Sequence, residues 1–362
     1  MAETGSQSVD AKRRAWARIE IVGLAVLILA MLGLLFKPDT MGGVFDAMFN
    51  RALPIVANVF LTGLVGTAII LSVMTGRILE RLGLTDALMR VFVPLIGKFG
   101  INSAVVVPGV YNILGDINAA GRIAGPVLVK AGATKDEQKI AIATMVQSQQ
   151  SFSTFMLGLI SLTAAGISAF PVIFIAVFAP LVIMPLLLKW TIYRNTRRVT
   201  LDVLPRFTPK KAALPTIFGG AKEGAELLFL LIIPAVAVVY AFIGALDFVG
   251  IWKPIENALT SALTAMSIDP ETGIMAILAS PTLAMGMLTK TAAELSPKLV
   301  VGSFVLAASG LPLSVVFGQI PTIWAEVSDL SEREALEAAI VGTVLRVITA
   351  VVLAMVLTPL VV

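Results

Sequence analysis

The sequence predicts an all-α polytopic membrane protein made of two inverted structural repeats with interrupted helices or re-entrant hairpins. Three observations carry this reading. Of the 362 residues, 57% are hydrophobic and 14% charged, whereas soluble domains hold about 45–50% apolar and about 25% charged residues. Apolar runs long enough to cross a hydrocarbon core of about 30 Å as helices recur along the chain. The order of runs and interruptions in the first half also returns in the second, which points to an internal repeat with a site between its halves.

Composition closes several classes of chemistry. With no cysteine and no histidine, disulfides, thiolate metal centres and the commonest zinc ligand and proton shuttle are excluded. The expectation is therefore no enzyme, no metal site and no cofactor, with a sodium ion the one bound species admitted. The formal charge is +4, but the basic residues cluster beside apolar runs as topology signals. Nucleic acid is not an expected partner; the lipid bilayer and a small-molecule solute are.

Residues 1–52 read as a polar tail and a first membrane helix. Lys12, Arg13, Arg14 and Arg18 precede an apolar run from Ile19 to Phe36, which is longer than a signal-peptide core and lacks an A-x-A-like cleavage site. The N-terminus is placed in the cytoplasm, in a bacterial-type plasma membrane. Residues 53–190 form the first repeat. It opens with an apolar run from Pro54 to Gly76, and Arg77, Glu80, Arg81 and Arg90 then alternate with leucines as in an interfacial amphipathic helix. From Val91 to Lys130 helix breakers and polar residues interrupt the hydrophobicity, which at membrane depth requires a protein or aqueous lining. A helix from Lys135 to about Leu162 and a span from Phe170 to Leu188 complete the repeat.

Residues 191–223 are the basic connector, with Arg194, Arg197, Arg198, Arg206, Lys210 and Lys211, expected in the cytoplasm. Residues 224–362 are the second, inverted repeat. Its expected parts are a span from Ala225 to Leu246, an interrupted region from Ile251 to Leu295 centred on Ser267–Gly273, and spans from Leu299 to Ile320 and from Ala335 to Leu360. Counting crossings from a cytoplasmic connector gives the halves opposite topology and puts the C-terminus outside.

Four polar features stand out. Gln147, Ser151 and Thr154, with Gln150 beside them, share one face if the helix is continuous at about 100° per residue; they suit a polar substrate or helix–helix hydrogen bonds. Asn112, Asp116, Asn118 and Arg122 place a carboxylate and a guanidinium inside the protein. Asp116 is expected to take part in ion coupling or to form a structural pair with Arg122, and their spacing of six demands a break. Ser280 and Thr282 lie where helix ends would present free backbone groups, while Lys290 and Glu294 suit an i,i+4 pair. Ser309, Pro312 and Gln319 occupy the helix corresponding by order to the one carrying Gln147.

The segments Val105-Val-Val-Pro-Gly-Val-Tyr-Asn-Ile-Leu-Gly-Asp116 and Ala279-Ser-Pro-Thr-Leu-Ala-Met-Gly286 resemble the nucleoside recognition, or gate, domain family. This family includes spore maturation membrane proteins and is similar to the gate regions of concentrative nucleoside transporters. The resemblance covers residues 53–360. It implies re-entrant hairpins, a solute site near the membrane centre, self-association, and substrate-facing positions at Asn102, Ser103 and Asn112 in one hairpin and Ser280 and Thr282 in the other. The function expected is secondary transport of a small polar or anionic metabolite, sodium- or proton-coupled. No G-x-x-x-x-G-K-[ST] loop is present for nucleotide-driven transport. The alternatives are a non-transporting membrane scaffold or regulatory partner in the cell envelope, or a lipid transporter.

Overall fold

A computed structural model describes residues 17–115, 117–199, 201, 206–209, 212–309 and 312–362. All regular structure among them is helical. Helix α1 (Arg18–Phe36) has no buried residue, as a helix surrounded by lipid should. Helices α2 (Pro38–Leu61) and α3 (Leu64–Arg81) follow one another across a short break at Thr62 and Gly63. The expected run from Pro54 to Gly76 is thus divided by this break and begins earlier. The amphipathic helix α4 (Leu84–Lys98), expected at the interface, starts after Gly83, at φ 85°, a conformation glycine adopts without steric cost. Arg77 and Glu80 consequently belong to the end of α3 and not to the interfacial helix.

The interrupted region is a hairpin. A short 3-10 turn (Ser103–Val106) leads into α5 (Val107–Asn112), and α6 (Ile117–Lys130) returns. The two ends are tied where Asn102 Nδ2 donates to the Ala131 carbonyl at 3.0 Å. Helices α7 (Lys135–Gln147) and α8 (Phe152–Ala164) then replace the expected continuous helix from 135 to 162. Helix α9 (Ala169–Thr191) closes the repeat.

The second half uses the same parts in the same order. Helix α10 (Ala213–Phe248) matches α2 with α3, and the amphipathic α11 (Trp252–Ala265) matches α4. A hairpin of α12 (Pro270–Leu278) and α13 (Pro281–Thr291) follows, then α14 (Pro297–Ala307) and α15 (Val315–Val327) as a broken pair, and α16 (Glu332–Val356). The breaker-rich Ser267–Gly273 leads into this hairpin, and the tip lies at Ala279 and Ser280. The expected span from Leu299 to Ile320 is divided between α14 and α15. Lys290 and Glu294 form no ion pair among the described residues, since α13 ends at Thr291 and the i,i+4 geometry is lost.

Inversion is visible in the packing. Helix α10 runs antiparallel to α2 and α3: Gly220 lies against Met74 and Arg77, Gly224 against Ile70, and Gly244 against Ala47. These glycines admit the close approach, since a Cβ on Gly244 would stand 2.5 Å from the Ala47 carbonyl oxygen. Five helices among the described residues are long and apolar enough to cross a membrane, and many of their large apolar side chains face outward. This is a multi-pass membrane protein. One face gathers the connector, the base of the first hairpin and the start of α16, where Lys135 pairs with Glu334 at 2.9 Å. The opposite face holds the chain end, where the Ser168 amide donates to the Val361 carbonyl at 2.9 Å.

Candidate functional site

The two broken helix pairs and the two hairpin tips meet at one buried junction. Helix α7 ends as Ser148 turns to extended backbone, and α8 restarts after Ser151, at φ 64°. No glycine or proline marks this break, but serine side chains serve both ends: Ser148 Oγ donates to the Met145 carbonyl at 2.7 Å, and Ser151 Oγ accepts from the Thr154 amide. Such local bonds compete with helix continuation. The amides freed by the break are taken up across the molecule, Gln150 N by the Ala308 carbonyl at 2.8 Å and Ser151 N by the Asn112 carbonyl at 3.1 Å.

The second break reproduces this chemistry. Ser309 Oγ donates to the Leu306 carbonyl at 2.8 Å at the end of α14, as Ser148 does at the end of α7. At the second hairpin tip Ser280 caps the Leu283 amide at 3.1 Å, and Thr282 Oγ1 lies 3.4 Å from Thr154 Oγ1. Ser151 Oγ is 2.9 Å from Ser153 Oγ and 3.1 Å from Thr154 Oγ1. Asn112, fully buried, donates from Nδ2 to Ser148 Oγ at 3.2 Å. The structure therefore brings together Asn112, Gln150, Ser151, Thr154, Ser280, Thr282 and Ser309. It does so through the break, and the shared helical face of Gln147, Ser151 and Thr154 does not exist.

Other expected positions lie elsewhere. Asn102 and Ser103 sit at the base of the first hairpin: the Asn102 amide donates to Glu137 Oε1 at 2.9 Å, and Ser103 Oγ to the Val199 carbonyl at 2.7 Å. They fasten the hairpin to α7 and the connector. Arg122 is an exposed side chain 3.8 Å from Glu326, so it is not an interior charge. Asn118 lies in the first turn of α6, and Asp116 lies outside the described residues.

Sequence reasoning missed Arg346. It is fully buried in α16 and donates from Nη1 to the Gln147 carbonyl at 2.7 Å and toward the Ala176 carbonyl at 3.5 Å, while Nε and Nη2 have no partner among the described residues. Both acceptors are carbonyls a regular helix would have occupied. Gln147 is the last residue of α7, and Pro180, four residues beyond Ala176, has no N–H to offer it. Gln147 Nε2 in turn donates to the Gly342 carbonyl at 3.0 Å, one turn before Arg346. A lone charge inside an apolar run was the available signal, because intramembrane ionisable residues are by default functional.

A cavity of about 130 Å³ reaches the junction, lined among others by Tyr111, Gly115, Ser151, Ser153, Arg77 and Glu223. Its polar side chains are Tyr111, Ser151, Ser153 and the charged Arg77 and Glu223, and apolar residues such as Leu114, Phe152 and Leu227 complete the wall. Arg77 Nε donates to Glu223 Oε2 at 2.8 Å, Nη2 to Glu223 Oε1, and Nη1 to Glu80 Oε2 at 2.6 Å.

No family model and no curated protein matches the chain. Solved structures do. CNTnw in an inward-facing substrate-bound state is 13% identical with a TM-score of 0.56, covering 94% of this chain and 86% of that one. A doubly substituted CNTnw in an outward-facing state is 15% identical with a TM-score of 0.55, covering 93% and 85%. A singly substituted CNTnw in an intermediate state is 15% identical with a TM-score of 0.52, covering 94% and 87%. The chain has the fold of a concentrative nucleoside transporter. At this identity the likeness is one of architecture, and the side chains at the junction are this chain's own.

Proposed function

We propose that this protein is a secondary transporter of a small polar solute, driven by a sodium or proton gradient, with its site at the junction between the repeats. The observation that carries the reading is the convergence of both helix breaks and both hairpin tips on one buried polar centre. Interrupted helices at membrane depth supply free peptide groups and helix ends to a solute, and here each repeat contributes a matching set. Of the polar and anionic metabolites the sequence admits, the polar class is favoured, because Tyr111, Ser151 and Ser153 bring hydroxyl groups to the junction cavity and Arg77, the cation among its described lining residues, is already held by Glu223 and Glu80. At about 130 Å³ the cavity is smaller than the roughly 300 Å³ at which ligand pockets begin. Loading would then accompany movement of a hairpin against α3 and α10, in keeping with a fold that CNTnw displays in inward-facing, outward-facing and intermediate states. The basic connector puts its face in the cytoplasm.

The test is thermal stabilisation of purified protein by a panel of nucleosides, carboxylates, phosphorylated metabolites and amines, each with sodium or potassium, since a ligand of the native state raises apparent stability. A cation-dependent shift with one class, abolished in Gln150→Ala, followed by uptake of that class into proteoliposomes, is expected. No shift with any compound, together with stable co-purification of another envelope protein, would replace transport by a scaffold role.

A further inference from the structure

The pair Arg77–Glu223 lines two cavities at once. One is the junction cavity; the other opens at the connector face and is lined among others by Glu80, Pro209, Thr216 and Gly219. We propose that Arg77, Glu223 and Glu80 form a charge-selective gate between the connector-side surface and the junction, passing cationic or donor-rich neutral solutes and holding back anions. The proposal rests on the transporter reading and narrows its substrate class.

The argument begins with the gateposts. Arg77 is on α3 and Glu223 on α10, and Gly220 and Gly224 bring these helices into backbone contact: a Cβ on Gly220 would lie 2.9 Å from Met74 Cα, and one on Gly224 2.8 Å from Ile70 Cα. The pair is therefore fixed to the antiparallel frame, while Tyr111, Gly115 and Ala119 of the first hairpin and Ser153 of α8 form the facing wall of the inner cavity. All three guanidinium nitrogens are engaged by carboxylates. An anion seeking Arg77 would have to displace two carboxylates and then remain beside them. An ammonium group, or a hydroxyl-rich solute, needs only a share of the Glu223 or Glu80 oxygens, which accept further hydrogen bonds. Among the described residues the charged side chains that line the two cavities are Arg77, Glu80 and Glu223, one positive and two negative.

The absence of cysteine makes the test direct. Ala119→Cys places a thiol on the inner cavity wall, and Val362→Cys provides an exposed reference. Each is reacted with cationic and anionic thiosulfonates of similar size. The rate ratio, cationic over anionic, is expected to be about fivefold higher at position 119 than at 362, the effect of roughly one net negative charge about 8 Å away in water, which favours the cation and disfavours the anion by equal factors. Glu80→Gln with Glu223→Gln leaves Arg77 as the remaining charge of the three and should bring the ratio at position 119 below the reference value, whereas Arg77→Gln leaves the two carboxylates and should raise the ratio further. Equal ratios at the two positions, or a ratio at 119 unmoved by the glutamine substitutions, overturns the proposal. Val73→Cys, on α3 in the same cavity, serves if Ala119→Cys does not fold. Labelling requires no substrate, so a failed gate and a failed transporter reading are distinguished.

Discussion

A guanidinium buried in a membrane helix without a carboxylate is costly unless its position is used. Arg346 covers the last carbonyl of α7 and thus places a positive charge at the negative end of that half-helix. Its replacement separates use from packing. Arg346→Met keeps much of the volume and removes the buried charge, so its melting temperature should equal or exceed the parent's, while uptake of the solute class selected by the stabilisation panel should fall about tenfold, corresponding to ~1.4 kcal/mol. Parent-like uptake by the methionine variant would assign Arg346 to packing alone. Glu137 shows the opposite case. Its buried carboxylate accepts from the amides of Asn102, Thr134 and Arg197 at 2.9, 2.9 and 2.8 Å. Glu137→Ala leaves three donors without their acceptor and should cost about 3 kcal/mol, read as lost thermal stability; an unchanged melting temperature would show that water replaces the carboxylate.

Between elements, the connector is held to α4 by Asp86. Burial opposes its ionisation, but the Thr208 hydroxyl and the amides of Phe207 and Thr208 outweigh that and hold the carboxyl below its ordinary range. A folded-state value below the unfolded one means that the anchor's contribution is complete above the ordinary aspartate range and is lost as pH falls through the lowered value. Near neutral pH the connector should therefore resist proteolysis. Asp86→Asn should expose it to cleavage at all pH values, whereas the parent becomes susceptible only in strong acid; equal cleavage of both at neutral pH would refute the anchor. The frame makes a second demand. Gly224→Val would drive side-chain atoms into the α3 backbone and should destabilise the protein by about 1–3 kcal/mol, the usual range for overpacking, measurable in detergent by thermal unfolding.

For the whole molecule, the two faces defined by packing predict sidedness. Single cysteines at Arg198 in the connector and at Val362 should react with impermeant reagents from opposite sides of a sealed vesicle, with Arg198→Cys on the cytoplasmic side. Labelling of both from one side would invalidate the inverted arrangement in the membrane. The order of elements was largely legible in the sequence, because a span must be an apolar run of sufficient length and an interruption must carry polar residues or breakers. The helix breaks were legible only in part. Gly and Pro mark the chain near Thr62 and Gly63 and between α14 and α15, but the break at Ser148 to Ser151 has neither, and its residues are compatible with a continuous helix until the Ala308 and Asn112 carbonyls claim its amides.

By itself, the sequence determined that this chain lies in a membrane, that it is helical, and that two similar halves carry interruptions. These follow from hydropathy and local backbone preference, which act over a few residues. Only the tertiary structure decided which polar side chains meet. It moved Asn102 and Ser103 to the hairpin base and Arg122 to the surface, and it brought Arg346 to the end of α7 and Arg77 to Glu223. Those partnerships join residues 29 to 204 positions apart, several of them in different repeats. They depend on how two inverted halves pack, a property no local window of sequence contains.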